Sequence, residues 1–107
     1  MSEHVVVVGT DEYEIADAIA AEGLDVARVD IGNRTGLEGA DTGEARVYVL
    51  TEIEQATSIS VAKELNPDLR VVVYADGTLP DFARAQADLL LDPALFDPQD
   101  VAAELGA

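Results

Sequence analysis

Apolar positions along the chain fall into five short runs, and several of the segments between them carry the three-to-four-residue spacing of a helix. The runs are 4–8 (HVVVV), 25–30 (DVARVD), 46–50 (RVYVL), 70–74 (RVVVY) and 88–91 (DLLL). Strand-length runs alternating with helix-compatible stretches predict an α/β fold, a parallel sheet covered by helices on both faces. The valine run after His4 belongs at the centre of such a sheet. The second run alternates, with Arg28 and Asp30 between apolar neighbours, and belongs at an edge.

Punctuation places four helices, at about 12–22, 53–65, 79–86 and 98–105. Asp11 with Glu14, Thr51 with Glu54 and Thr78 with Asp81 have the acceptor-x-x-acid spacing of a capping box, and Pro98 after Asp97 is a proline at a first helical position. Gly23 and Asn66-Pro67 stop the first two helices. In the second, Ile53, Ala56, Ile59, Ala62 and Leu65 form a stripe that faces the sheet. Segment 31–44 breaks the alternation: it has four glycines and no helical stripe, and reads as a mobile functional loop or the scar of a deleted unit.

A chain of 107 residues is expected to be one domain, 1–107, burying roughly two-thirds of its unfolded surface. Its 22 acids against six bases, only one of them lysine (Lys63), give a formal charge of -16. That is the wrong sign for DNA or RNA. The 49% hydrophobic content in strand-length runs excludes an acidic disordered chain. The acidity therefore reads as adaptation to a salty cytoplasm, where a Debye length of about 3 Å at molar salt screens surface carboxylates. There is no cysteine, hence no disulfide, thiolate metal site or thiol nucleophile. No signal peptide is visible before the first strand, and no apolar run approaches the ~18 residues of a membrane span, so a cytoplasmic location without membrane insertion is expected.

Ala62-Lys63-Glu64-Leu65-Asn66-Pro67-Asp68-Leu69-Arg70-Val71-Val72-Val73-Tyr74-Ala75, Gln86-Ala87-Asp88-Leu89-Leu90-Leu91-Asp92-Pro93 and residues 4–30 together resemble the TrkA-N (RCK N-terminal) domain of potassium-transport regulators, in a shortened version that keeps only 31–44 between the second strand and the central one. The resemblance implies a Rossmann-like three-layer sandwich with strand order 2-1-3-4-5, NAD or an adenine nucleotide over the first strand, and a homodimer. Against the family's G-x-G-x-x-G, this chain has Gly9-Thr10-Asp11-Glu12-Tyr13-Glu14, one glycine of three. Asp30 follows Gly9 by about 20 residues, the spacing of an acid that holds a ribose. Candidate cofactor-binding residues are thus Gly9 and Thr10 for close backbone approach, Asp11 at the helix start, Asp30 for a ribose and Thr51 for a further polar contact.

Asp11 replaces the glycine that lets backbone reach a pyrophosphate, and as a cap it would satisfy the N–H groups a phosphate needs. The protein would supply its own anion. Other chemistries find little support. A phosphate-accepting receiver domain shares the 2-1-3-4-5 sheet but needs an aspartate after strand three and a lysine after strand five, where this chain has Thr51 and Asp92. His4 is the sole histidine and starts a strand, at the end opposite to ligands, as an exposed residue; Ser58 and Ser60 have no histidine to form a triad. Asp11, Glu12, Asp30, Glu52 and Asp76 gather at the carboxyl ends of the strands, as happens readily by chance in so acidic a chain, and no metal site is assigned. The function expected is a non-catalytic, stand-alone regulatory or interaction module with a degenerate nucleotide pocket and a protein partner. The alternative is an NAD(H)- or adenine-nucleotide-sensing subunit of a potassium transporter.

Overall fold

The computed structural model describes residues 4–106; the start of the chain, on which the reading of a missing signal peptide rests, lies outside the described residues. In chain order the elements are β1 (His4–Val8), α1 (Ile15–Ala21), β2 (Asp25–Val29), α2 (Arg34–Gly39), β3 (Val47–Leu50), α3 (Ser58–Leu65), β4 (Arg70–Tyr74), α4 (Asp81–Arg84), β5 (Leu89–Leu91) and α5 (Pro98–Gly106), with 3₁₀ turns at Thr42–Glu44 and Ile53–Gln55. The five strands form one parallel sheet in the order β2-β1-β3-β4-β5. The alternating run DVARV is an edge and the valine run lies inside, where a strand covered on both faces is apolar at every position.

Side-chain alternation divides the core in two. Val6, Val8, Tyr48, Leu50, Val71 and Val73 face α2, α3 and α4, packing against Leu37, Ile59, Ala62 and Ala83. Val5, Val7, Val47, Val49, Val72 and Tyr74 face α1 and α5, packing against Ile15, Ile19, Val101 and Leu105. Helices thus cover both faces.

Segment 31–44 is not a bare loop. It holds α2, capped by the Asn33 side chain, which accepts from the Gly36 N–H at 2.8 Å, and it is pinned by fully buried Leu37 and Thr42. Six residues with one large apolar anchor cannot display a stripe, which is why the sequence pattern hides this helix. Gly36 is required there, since a Cβ would lie 2.8 Å from the Ile31 carbonyl oxygen. His4 is half-buried rather than exposed, its Nε2 donating to the Ala40 carbonyl at 2.7 Å beyond the end of α2.

Three helices start later than their capping signals suggest. The first begins at Ile15, the second is split into Ile53–Gln55 and Ser58–Leu65, and α4 begins at Asp81 after Pro80 with no side-chain cap. The Asp11 and Thr51 side chains that would cap the first two turns are engaged differently, as described below. The fourth helix starts at Pro98, as its proline implies.

Tyr48 crosses the α3 side of the core and donates to the Ser58 hydroxyl at 2.6 Å. Burial pushes its phenol up from 10.0 to about 12, with the Ser58 hydrogen bond partly offsetting this. Below pH 10 the resulting stability is fully present. As pH climbs from 10.0 toward about 12 the unfolded chain loses the proton and the folded one keeps it, so stability falls by an amount on the order of 2 kcal/mol. Urea unfolding of wild type and Tyr48→Phe, compared at about pH 8 and about pH 11, is expected to show a smaller alkaline loss in the variant.

Candidate functional site

The carboxyl ends of β1, β3 and β4 form the end of the sheet at which ligands bind in open α/β folds. Four sequence-nominated residues meet here, Gly9, Thr10, Asp11 and Thr51, and each is engaged with another part of the chain. Gly9, at φ +112°, donates its N–H to the Val29 carbonyl at 2.9 Å. Thr51, one residue past β3, donates its hydroxyl to the Val8 carbonyl at 2.7 Å and accepts the Asp11 N–H at 3.1 Å. Asp11, itself in the left-handed region at φ 54°, accepts from the N–H of Ile15 at 2.8 Å and of Ala16 at 3.0 Å, one through each carboxylate oxygen.

The first turn of α1 therefore has an anion on it already, and that anion belongs to the protein. The capping box between Asp11 and Glu14 is not reciprocal: Thr51 holds the Asp11 N–H, and Glu14, at φ 57°, closes a turn by donating its own N–H to the Asp11 carbonyl at 3.0 Å. This turn over 12–14 displaces the helix start to Ile15.

Thr10 is tied in similarly. Its N–H donates to Glu52 Oε1 at 3.0 Å, and the same oxygen accepts from Gln55 Nε2 at 3.1 Å. Gln55 reaches on to β2, donating to the Asp30 carbonyl at 2.7 Å and accepting the Gly32 N–H at 2.7 Å. Asp30, nominated for a ribose, enters this network through its backbone, and its side chain is exposed. Glu52 and Gln55 are the residues that sequence reading missed as organisers. The only hint was an acid next to Thr51, since nothing local says that Gln55 will bridge β2 to the turn after β1.

On the β4 side Tyr13 closes the same end. Its hydroxyl donates to Asp76 Oδ2 at 2.7 Å, and its ring meets Tyr74 edge-on with centroids 6.0 Å apart. The hydrogen bond to Asp76, followed by desolvation, pushes the Tyr13 phenol up to about 12. What remains between these residues is a polar depression of about 360 Å³ lined by Thr10, Glu12, Thr51, Glu52 and Asp76 among others. Among the described residues no group of three or more His, Asp or Glu side chains is arranged to hold a metal ion. Asp11, Glu52 and Asp76 are directed at protein donors instead. An incoming phosphate would meet carboxylates and find the N–H groups of Thr10, Asp11, Glu14, Ile15 and Ala16 engaged.

A family model matches residues 5–105, nearly the whole chain. The chain belongs to DUF7126, a family of unknown function. No curated protein matches it. Solved structures do match this DUF7126 chain in fold. An orphan response regulator of H. pylori superposes with a TM-score of 0.74 at 16% identity, covering 97% of this chain and 93% of that one. A CheY-like receiver domain protein of Methanospirillum hungatei gives 0.70 at 14%, covering 98% and 91%. An atypical orphan response regulator with a phosphorylation-independent regulatory mechanism gives 0.70 at 16%, covering 94% and 90%.

These matches correct the resemblance to TrkA-N domains, and with it the implied NAD binding and role in potassium transport: the family is DUF7126 and the structural neighbours are receiver domains. The reason is physical. Five strand runs, their helices and a 2-1-3-4-5 order are properties of a fold shared by nucleotide-binding and receiver domains, so motifs that report strand and helix boundaries cannot separate the two. The DUF7126 chain has the receiver's sheet order, with Thr51 after β3 and Asp92 after β5, the latter accepting the Ala94 N–H at 2.9 Å.

Proposed function

We propose that this chain is a non-catalytic regulatory module on a receiver-like scaffold, acting through contacts with another protein and without phosphoryl transfer. The observation that carries the reading is the closed network at the strand ends, in which Asp11, Thr51 and Glu52 occupy the donors of the turn after β1. A loop held by its own side chains presents a fixed surface, which suits recognition better than turnover. That response regulators of orphan and phosphorylation-independent type are among its structural neighbours supports the same reading. Thr51 stands in the position of a phosphoacceptor, and its hydroxyl is directed at the Val8 carbonyl.

The test exposes the protein in molar KCl to acetyl phosphate with Mg²⁺ and to beryllofluoride, with mass spectrometry and thermal unfolding as readouts. No covalent adduct and an unchanged melting point are expected. A site-specific ligand at 100 times its dissociation constant would stabilise by about 2.7 kcal/mol. A phosphoryl adduct, or a melting shift abolished by Thr51→Ala, would overturn the proposal.

A further inference from the structure

Sheet edge β5 is Leu89-Leu90-Leu91, with Leu89 and Leu91 on the face of Val72 and Tyr74, toward α5, and Leu90 on the face of Val73. Its backbone offers little to another chain. Arg70 donates its N–H to the Arg46 carbonyl on the β3 side, and Val71 donates its N–H to Asp88 Oδ2 on the β5 side. Backbone direction alternates along a strand, so in the register Val72 to Leu89 the backbone groups of Leu89 and Leu91 turn inward to β4 and those of Leu90 alone turn outward. One outward pair is too few for strand addition, whose affinity comes from main-chain hydrogen bonds. Whatever docks on this edge does so through side chains.

Between β5 and α5 lies a groove of about 600 Å³. Its floor is apolar, with Leu89, Leu91, Phe96 and Val101, and Leu89 and Phe96 remain 36% and 44% exposed. Its α5 wall carries Asp100 and Glu104, both exposed. Four residues apart on one helix, they stand on the same face one turn apart. Neither forms an ion pair among the described residues, whereas Asp17, Glu64, Asp81 and Asp88 each lie beside a base. The one base in the lining is Arg70, at the start of β4.

We infer that the groove between β5 and α5 docks a basic amphipathic helix of a partner protein, its apolar stripe on Leu89, Leu91 and Phe96 and two of its Lys or Arg side chains, one turn apart, on Asp100 and Glu104. Charge complementarity selects this occupant. A second copy of a chain of charge -16 would bring acids to acids, and an acidic helix would meet the same wall. Lysine and arginine suit the wall for a second reason, since their long stems lie over apolar surface while the charged head reaches outward to a carboxylate. Spacing fits as well: a helix laid along α5 repeats its side chains at the same interval as Asp100 and Glu104. Arg70 marks the end of the groove at which the basic face of the partner stops.

This rests on the reading of the chain as a protein-contact module; the acetyl phosphate experiment tests that reading by itself, and the following one bears on the groove alone. The probe is a labelled peptide of about 18 residues, with leucine at i, i+3, i+4 and i+7 and lysine beside that stripe. Its twin has glutamate for every lysine. Fluorescence anisotropy with the full chain is read in molar KCl, where screening within about 3 Å suppresses the general pull of an acidic surface on any cation. The lysine peptide should bind about tenfold tighter than its twin and gain helical circular dichroism on binding. Asp100→Lys with Glu104→Lys should abolish that preference. Asp25→Lys with Glu38→Lys, the same change in net charge at exposed positions outside the groove, should leave it intact. Leu89→Ser, with an unchanged spectrum of the protein, should weaken binding of the lysine peptide about tenfold. No binding of the lysine peptide, binding without helix, binding indifferent to Leu89→Ser, or equal effects of the two lysine pairs would each overturn the inference.

Discussion

Replacing Gly9 with alanine is expected to destabilise the fold by about 3–4 kcal/mol, a large share of the 5–15 kcal/mol typical of a whole protein. Two costs coincide. At φ +112° the residue lies where side-chain-bearing residues rarely go, a strain of about 1–3 kcal/mol. An added Cβ would also stand 2.5 Å from Thr51 Oγ1 and 2.8 Å from Glu52 Cβ, so the turn after β1 and the segment after β3 must separate, at a further cost of about 1–3 kcal/mol. Separation would break the Asp11 to Thr51 and Thr10 to Glu52 hydrogen bonds as well. Denaturant titration in molar KCl measures the effect. The double variant Gly9→Ala, Thr51→Ala should stay at least as unstable as the single one, because the positive φ and the Glu52 contact persist. Recovery to wild-type stability would show that the Thr51 hydroxyl alone set the requirement for glycine. This glycine thus serves close approach within the protein.

Asp11→Ala is expected to cost about 2–3 kcal/mol, which for a chain of this size lowers the melting point by about 4–8 °C per kcal/mol. A helix cap alone contributes about 0.5–2 kcal/mol. Here both carboxylate oxygens are used, at 2.8 and 3.0 Å, and the residue also holds a left-handed conformation that aspartate tolerates better than alanine. Asp11→Asn retains the shape and one acceptor oxygen and should lose about half as much. The decisive readout is anion dependence. With the carboxylate gone, the Ile15 and Ala16 N–H groups are bare donors at a helix start. Sulfate should therefore raise the melting point of Asp11→Ala more than that of wild type at equal ionic strength. Equal responses would mean that the site does not behave as an occupied anion seat.

These two positions also show how much of the site could be read in advance. Asp11 as an anion supplied by the protein follows from local chemistry, since an acid placed ahead of a helix start has few better partners than the N–H groups beside it. Its reach to residues 15 and 16 and the delayed helix were not legible, because they depend on Thr51, about 40 residues away, taking the Asp11 N–H. Thr51 carried the capping signal for the next helix, and the structure spends its hydroxyl on β1 instead. Gln55 and Glu52 sit in a segment read as ordinary helix, and their bridging of β2, the first turn and β3 arises only when the strands lie side by side. The family resemblance failed for the same reason: strand and helix boundaries describe a scaffold, and the scaffold is common to proteins with different chemistry.

By itself the sequence determined the α/β class, the five strands, the valine strand inside the sheet with the alternating one at its edge, and the acidic surface with its lack of cysteine. Strand interiors are written in consecutive residues, because burial on both faces demands an unbroken apolar run. Only the tertiary structure decided that segment 31–44 contains a helix anchored by Leu37, that the strand ends are closed by Asp11, Thr51, Glu52 and Gln55, and that the β5 edge is left apolar on both sides. Those features are meetings between residues far apart in the chain. A hydrogen bond or an exposed edge is a property of neighbours in space, and spacing along the chain does not name them.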